Sequence, residues 1–169
     1  MHTTWLALSL AFAATPVERA KAALDPFQKT LKDALLAALA KSPEAAVAVC
    51  AKEAPELAKA ASRDGVVVGR SANRLRNASN APSAWVKEAM TKLSKAKSGT
   101  DAHVVMALPE GRVGYAQAIW LAPPCVTCHG KAIAPALDAK IKAAYPQDEA
   151  RGYDVGDFRG VFWAEVTTK

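Results

Sequence analysis

Two cysteines and a histidine stand close together in the segment Cys125-Val126-Thr127-Cys128-His129-Gly130. Cys-x-x-Cys-His is the attachment motif of c-type haem. The two thiols can add to the two vinyl groups of one haem, and the imidazole of His129 can then reach the iron as its proximal ligand. The motif therefore predicts one covalently attached haem c, held by Cys125, Cys128 and His129.

Two other chemistries use the same pair of cysteines. A zinc site would need a fourth ligand, which Cys50 or His103 could supply. A thioredoxin-like dithiol has no use for the histidine that follows the second cysteine. Haem attachment is the interpretation that uses all three residues of the motif.

The second axial position of such an iron has four candidate ligands: Cys50, Met90, Met106 and His103. Both methionines fall in apolar patterns typical of core packing, and His103 stands at a predicted strand end. Cys50 would be the one thiol left over in an oxidising compartment, on the apolar side of a helix and close to Pro55. It could also be a small buried hydrophobe. A thiolate ligand would lower the reduction potential, and its release on reduction would open a site for a diatomic ligand.

Three arginines, Arg70, Arg74 and Arg76, follow the first predicted strand. A guanidinium pairs well with carboxylates, so these side chains are candidate partners of the haem propionates. The alternative is a solvated loop. Arg159 lies near Asp157 in the sequence, and we expect it to hold the start of the last strand.

The first 14 residues predict an export signal. The apolar run over 5–14 is too short to span a bilayer and contains the small-x-small pattern Ala11-Phe12-Ala13. We expect residues 1–14 to be removed and residues 15–169 to form a single haem domain in the periplasm, where bacteria attach c-type haem. An uncleaved anchor is the alternative, because only the α-amine and His2 could carry positive charge before the apolar run. No later segment is apolar enough to cross a membrane.

The formal net charge of +6 over 169 residues limits the classes of binding partner to consider. This excess suits an acidic redox protein or an anionic membrane surface, although ordinary solvated charge also explains it. The basic residues are dispersed, aromatic residues are few and no nucleic-acid-binding motif is present. Nucleic acid is therefore excluded as a partner.

Apolar periodicity predicts helices in the first third of the chain and mostly strands afterwards. Pro26 should set a turn or kink in the first helix, and Pro55 should kink the second just after Cys50. The predicted helices cover 18–41, 43–61, 85–96 and 136–143, and the predicted strands cover 66–71, 103–108, 113–121 and 160–166. Pro123-Pro124 ends the third strand, which places the haem motif in a loop at the sheet's edge. The order of elements predicts an α+β domain with a mostly antiparallel sheet.

Residues spread over the chain match one known pattern. They are Cys50, Ala54-Pro55, Gly69-Arg70-Ser71, Arg74, Arg76-Asn77, Asn80, Pro82, Trp85, 125–130, Tyr145-Pro146, Ala150, Gly152-Tyr153, Gly156-Asp157 and Arg159-Gly160. With them the chain resembles a bacterial family of c-type haem domains with a PAS-like fold, which occur alone after a signal peptide or as the sensing part of signalling proteins. The chain departs from the family at Ala78, commonly proline, and at Phe162-Trp163, commonly smaller residues. The resemblance implies a PAS-like sheet that holds the haem, with His129 as proximal and Cys50 as distal ligand.

Three functions are open at this point. The first is a redox- or ligand-responsive haem module that signals to an unidentified protein. The second is a simple electron-transfer carrier in which both axial ligands stay bound. The third, an enzyme acting on peroxide or nitrogen oxides, ranks last because it needs distal acid–base groups, and His103 is the only histidine outside the motif after residue 14.

Overall fold

The computed structural model describes residues 13–168, so most of the predicted export signal lies outside the described residues. The helices are α1 Pro16–Leu39, α2 Pro43–Ala48, α3 Ala54–Ala61, α4 Ala84–Leu93, α5 Val126–His129 and α6 Pro135–Ala144. The strands are β1 Val66–Ser71, β2 His103–Leu108, β3 Arg112–Trp120 and β4 Phe158–Thr167.

The first helix begins at a complete capping box. The Thr15 hydroxyl accepts the backbone N–H of Glu18, and the Thr15 N–H donates to the Glu18 carboxylate at 2.7 Å. The helix then runs through Pro26 without ending, because Leu24 and Phe27 on either side are packed in the core. Within residues 13–168, no helix is long and apolar enough to cross a bilayer.

The second helical region has the irregularity that Pro55 predicts. The Ser42 hydroxyl caps α2 by accepting the N–H of Ala45 at 3.1 Å. Between α2 and α3 the chain forms a π-helical turn over Val49–Glu53, in which the N–H of Ala54 bonds to the carbonyl of Val49. Cys50 therefore lies in a π turn rather than in a regular α-helix.

The four strands form one antiparallel sheet in the order β1-β4-β3-β2. β2 and β3 make the predicted hairpin. The helices lie on both faces of this sheet, and the α+β, PAS-like fold predicted from the sequence is confirmed. The motif segment follows β3, an interior strand, so it lies at the strand ends rather than along an edge strand.

Side chains alternate between the two faces of the sheet, and each face packs against different helices. Tyr115, Ala164 and Val166 belong to the core under α1, whereas Ala116 and Val161 pack under α4. A third cluster joins α2 to α6 through Val47, Leu137, Ile141 and Tyr145. This third cluster brings the Cys50 region close to the segment that carries the motif.

Candidate functional site

The Cys-x-x-Cys-His segment is folded tightly. Pro123–Cys125 forms a 3-10 turn and Val126–His129 a single helical turn. Two hydrogen bonds join this turn to the segment before β4. The Tyr153 N–H donates to the His129 carbonyl and the Gly152 N–H donates to the Gly130 carbonyl, each at 3.0 Å. The spacing of three residues along a helical turn places the two cysteines on one side of it.

His129 has the surroundings of a metal-ligating histidine. Its Nδ1 lies 2.8 Å from the carbonyl oxygen of Ala150, and since that oxygen can only accept, Nδ1 carries the hydrogen. Nε2 is thus left with a free lone pair. Burial, followed by the charges of Arg76 and Arg159, lowers the pKa of His129 to about 3. The imidazole is therefore neutral, the form that binds a metal, throughout the physiological pH range.

Arg76 forms hydrogen bonds to the backbone in and beside the motif. It pairs with Asp148 at 3.0 Å, and the two side chains are only 9% and 2% exposed. The same guanidinium donates to the carbonyl of Cys128 at 2.6 Å and to that of Ala150 at 3.2 Å. Burial would raise the pKa of Asp148, but the hydrogen bonds and charge of Arg76 keep it below its usual value. Arg76, held by Asp148, therefore fixes the carbonyl of Cys128, which precedes His129, and the carbonyl of Ala150, which bonds to the imidazole.

Cys50 approaches the same region from the helical half of the chain. In the π turn its carbonyl loses the N–H of Ala54 to Val49, and Pro55 has no N–H to offer. The Arg70 guanidinium lies 3.5 Å from this carbonyl oxygen. Cys50 is half-buried and forms no disulfide.

Cys50, Cys125, Cys128 and His129 line one cavity of about 600 Å³. Most of its wall is apolar, formed by side chains of α1, α2 and the ends of the strands. The apolar residues include Leu31, Leu35, Leu39, Val47, Ile119, Leu121 and Phe162. Volumes of this size are usual for cofactor pockets. A mostly apolar group that carries a metal suits this wall, because thiols and a neutral imidazole are good metal-binding groups.

The chain matches one protein family over nearly its whole length. A family model described as Tll0287-like (Tll0287) matches residues 11–166. The chain belongs to the Tll0287-like family. It is also similar to the crystal structure of the cyanobacterial heme-protein Tll0287, with 27% identity and a TM-score of 0.67, over 92% of this chain and 98% of that one. No curated protein sequence matches it. The resemblance to a haem-domain family drawn from the sequence is confirmed.

The other candidate axial ligands lie elsewhere in this Tll0287-like fold. Met90 is a buried residue of α4, and Met106 packs against the same hydrophobic cluster. His103 is exposed and stacks on Tyr115 with ring centroids 5.3 Å apart. None of these three lines the cavity, so Cys50 is the candidate that shares it with His129. Among residues 13–168, no three His, Cys, Asp or Glu side chains form a cluster that could hold a metal ion.

The three candidate arginines are divided between the cavity and its surroundings. Arg70 and Arg76 line the cavity, but Arg76 is engaged with Asp148 and backbone carbonyls. Arg74 does not line it: its guanidinium stacks 3.6 Å from the centroid of the Tyr153 ring and donates to the Arg151 carbonyl. A fourth arginine, Arg159, does line the cavity. The sequence predicted that Arg159 holds the start of the last strand, and no local pattern indicates that it turns inward.

A second, smaller cavity of about 170 Å³ lies beside Arg70, between α3 and β1. Its wall includes Pro55, Ser79 and Trp163 but no cysteine or histidine. It has no group that would bind a metal, and the larger cavity is the candidate site.

Proposed function

We propose that this protein is an exported mono-haem c-type cytochrome that acts as a redox- or ligand-responsive module. One observation carries the proposal: Cys125, Cys128, His129 and the distant Cys50 line the same apolar cavity. The relation to a solved heme-protein supports haem as the occupant. Bound in this cavity, haem would supply an iron that changes oxidation state and takes a ligand on either face.

The motif residues would hold the group at one side. Each thiol adds across one vinyl group: a carbon–sulfur bond forms, and the thiol hydrogen moves to the other vinyl carbon. His129 offers the lone pair of Nε2, since the Ala150 carbonyl holds the hydrogen on Nδ1. The apolar wall would limit the access of water to the iron.

Cys50 would supply the second axial ligand. The proposal is supported by its place in the cavity, by the absence of Met90, Met106 and His103 from the cavity wall and by the family resemblance. A thiolate favours ferric iron, so the reduction potential would be low. Reduction would weaken the bond to sulfur, and the thioethers would retain the haem while a diatomic ligand enters. The π turn that carries Cys50 could transmit this change to α2 and α3.

Export to the periplasm would bring the chain to the compartment in which bacteria attach c-type haem. The apolar run of residues 5–14 and the pair of motif cysteines both suit the periplasm, where an unidentified redox or signalling protein would be the partner. Arg70 is the best placed of the three sequence-predicted arginines to meet a propionate, because the donors of Arg74 and Arg76 already have partners.

The first experiment is to express the full chain in a host that attaches c-type haem and to examine the purified protein. Haem that stays with the polypeptide on a denaturing gel, and is lost in the Cys125→Ser/Cys128→Ser variant, is the expected result. A low-spin ferric EPR signal with the narrow g-spread of thiolate ligation is expected for His129 and Cys50. A protein without haem would overturn the proposal, and a spectrum typical of His/Met or His/His would remove Cys50 from the iron.

Carbon monoxide separates a responsive module from a simple electron carrier. We expect rapid binding to the reduced protein, because loss of the thiolate opens the iron. A reduced protein that stays inert to carbon monoxide would favour the carrier.

A further inference from the structure

The last strand contains a bulge that has a consequence for the cavity. In the β3–β4 ladder Ile119 pairs with Gly160, but the next residue, Trp120, pairs with Phe158. Arg159 is therefore an extra residue without a partner of its own in the ladder. A bulge redirects the side chain that it inserts. Here the inserted side chain is an arginine that lines the large cavity.

Gly160 makes this bulge feasible. Its φ is +149°, a value that side chains with a Cβ rarely adopt, and a Cβ there would collide with the Ser71 carbonyl oxygen. β1 and β4 can thus approach closely at the position where the ladder shifts. The close approach keeps Arg159 and Arg70, from neighbouring strands, beside the same cavity.

Arg159 and Arg70 differ from Arg76 in having no acidic partner. No carboxylate among residues 13–168 forms an ion pair with either of them. Arg159 donates to the Arg74 carbonyl at 3.1 Å, and its guanidinium lies 5.5 Å from the Tyr153 ring centroid. Arg70 donates to the Cys50 carbonyl, at 3.5 Å. Among residues 13–168, these hydrogen bonds go to backbone carbonyls and leave both guanidinium groups without a carboxylate in an ion pair.

The electrostatic setting favours an anion beside Arg159. Burial lowers the pKa of Arg159 and the nearby charges of Arg76 and Arg70 lower it further, whereas Tyr153 and Asp148 raise it. A guanidinium stays protonated in proteins, so a partly buried one is stabilised by a further negative charge. An occupant of this cavity with acidic groups on one edge would supply that charge.

We infer that Arg159, turned inward by the bulge, and Arg70 form a cation pair that binds the acidic groups of the cavity's occupant. With the proposed function, on which this inference rests, those groups are the two propionates of haem. Arg159 is then a positioning residue: it fixes the edge of the haem opposite to the covalent bonds and compensates its negative charge.

The test is a redox titration of the haem-loaded protein between pH 5 and pH 9. In the wild type the paired propionates should stay ionised, so they should add no pH dependence of their own to the midpoint potential. In Arg159→Gln an uncompensated propionate favours ferric iron, so the potential should fall at high pH. It should rise toward the wild-type value as pH falls, because protonation removes the negative charge.

Two further variants separate this role from a structural one. Arg159→Lys keeps the charge and should restore the wild-type potential and its wild-type pH profile. Arg74→Gln is the matched control, since Arg74 lies on the same Tyr153 ring but outside the cavity. We expect Arg74→Gln to leave the potential unchanged even if it lowers the melting temperature.

The outcomes are distinct from failure of the proposed function. A haem-loaded Arg159→Gln protein with the wild-type potential at every pH would overturn the inference and leave haem binding intact. An equal shift in Arg74→Gln would also overturn it. A wild-type protein that carries no haem would remove the proposed function itself.

Discussion

At the scale of single residues, hydrogen bonds within the protein fix the tautomer of His129 and the position of the backbone beside it. The Ala150 carbonyl fixes the tautomer of His129, and the buried pair of Arg76 and Asp148 fixes the backbone beside it. Breaking such a buried pair commonly costs about 3–5 kcal/mol, because one charge is left without a partner. The side of the cavity that carries His129 is therefore rigid, and in the proposed haem protein a change in axial ligation would act on the side of Cys50.

Cys50→Ala tests that expectation. The variant should keep its haem, since both thioethers remain, but its midpoint potential should rise by about 100 mV or more, as axial ligands tune haem potentials over about 0.8 V. The ferric EPR signal should change to high spin and the iron should bind added imidazole. The potential comes from a redox titration and the ligand state from EPR.

Val47→Ala is the control for this substitution. Val47 is buried in the same wall of the cavity but has no atom that could bind iron. Its truncation should lower stability and leave the thiolate signal in place. If Cys50→Ala keeps the wild-type potential and spectrum, Cys50 is not a ligand.

At the scale of elements, two local irregularities place the cavity's functional groups. The π turn over Val49–Glu53 carries Cys50, and the bulge in β4 carries Arg159. π turns inside helices often occur at functional sites. Both irregularities interrupt a regular hydrogen-bond ladder, and each leaves the inserted residue facing the same cavity.

Pro55→Ala tests the contribution of the π turn. The new N–H at residue 55 can bond to the carbonyl of Ala51, which favours a continuous α-helix and rotates Cys50. We expect a more helical far-UV circular dichroism spectrum and loss or broadening of the thiolate EPR signal. The protein should keep its haem.

Pro26→Ala is the matched control for this substitution. Pro26 interrupts hydrogen bonding inside α1, which is a regular helix on both sides of it. Its removal should stabilise the protein by about 1–3 kcal/mol, since proline is costly inside helices, and leave the EPR spectrum unchanged. Identical spectra for both variants would show that the π turn does not control Cys50.

At the scale of the whole molecule, the sheet separates two packing layers and leaves the cavity at one end. The core under α1 continues into the cavity wall through Leu31 and Phe162, whereas no residue of the core under α4 lines this cavity. The helical half supplies Cys50 and the strand half supplies the motif, so the cavity exists only when both halves are packed together. Haem bound to both halves would stabilise the folded chain over the unfolded one.

Export of the full chain can be tested by intact mass. Periplasmic expression should yield a chain that begins at Thr15 and carries the added mass of one haem. Removal of residues 1–14 leaves the capping box intact, because Thr15 and Glu18 supply all of its contacts.

A chain expressed in the cytoplasm without residues 1–14 is the control. It should fold but carry no covalent haem, since attachment takes place in the periplasm. Retention of residues 1–14 in the periplasmic product would mean that they act as an uncleaved anchor.

Patterns local in the chain were enough to predict the attachment motif, the order of helices and strands, the hairpin and the irregularity near Pro55. These features depend on neighbouring residues: turn and cap chemistry, side-chain periodicity and the missing N–H of proline. The sequence also limited the candidates for the second axial ligand to four residues, and the family resemblance favoured Cys50 among them. That choice depends on which side chains packing brings together over long distances in the chain.

Tertiary structure decided the roles of the arginines. Arg74 stacks on Tyr153, Arg76 pairs with Asp148 and Arg159 lines the cavity. For Arg159, the cause is a one-residue shift in the β3–β4 register. A bulge depends on how two strands distant in sequence meet, and the local pattern of β4 is the same with or without it.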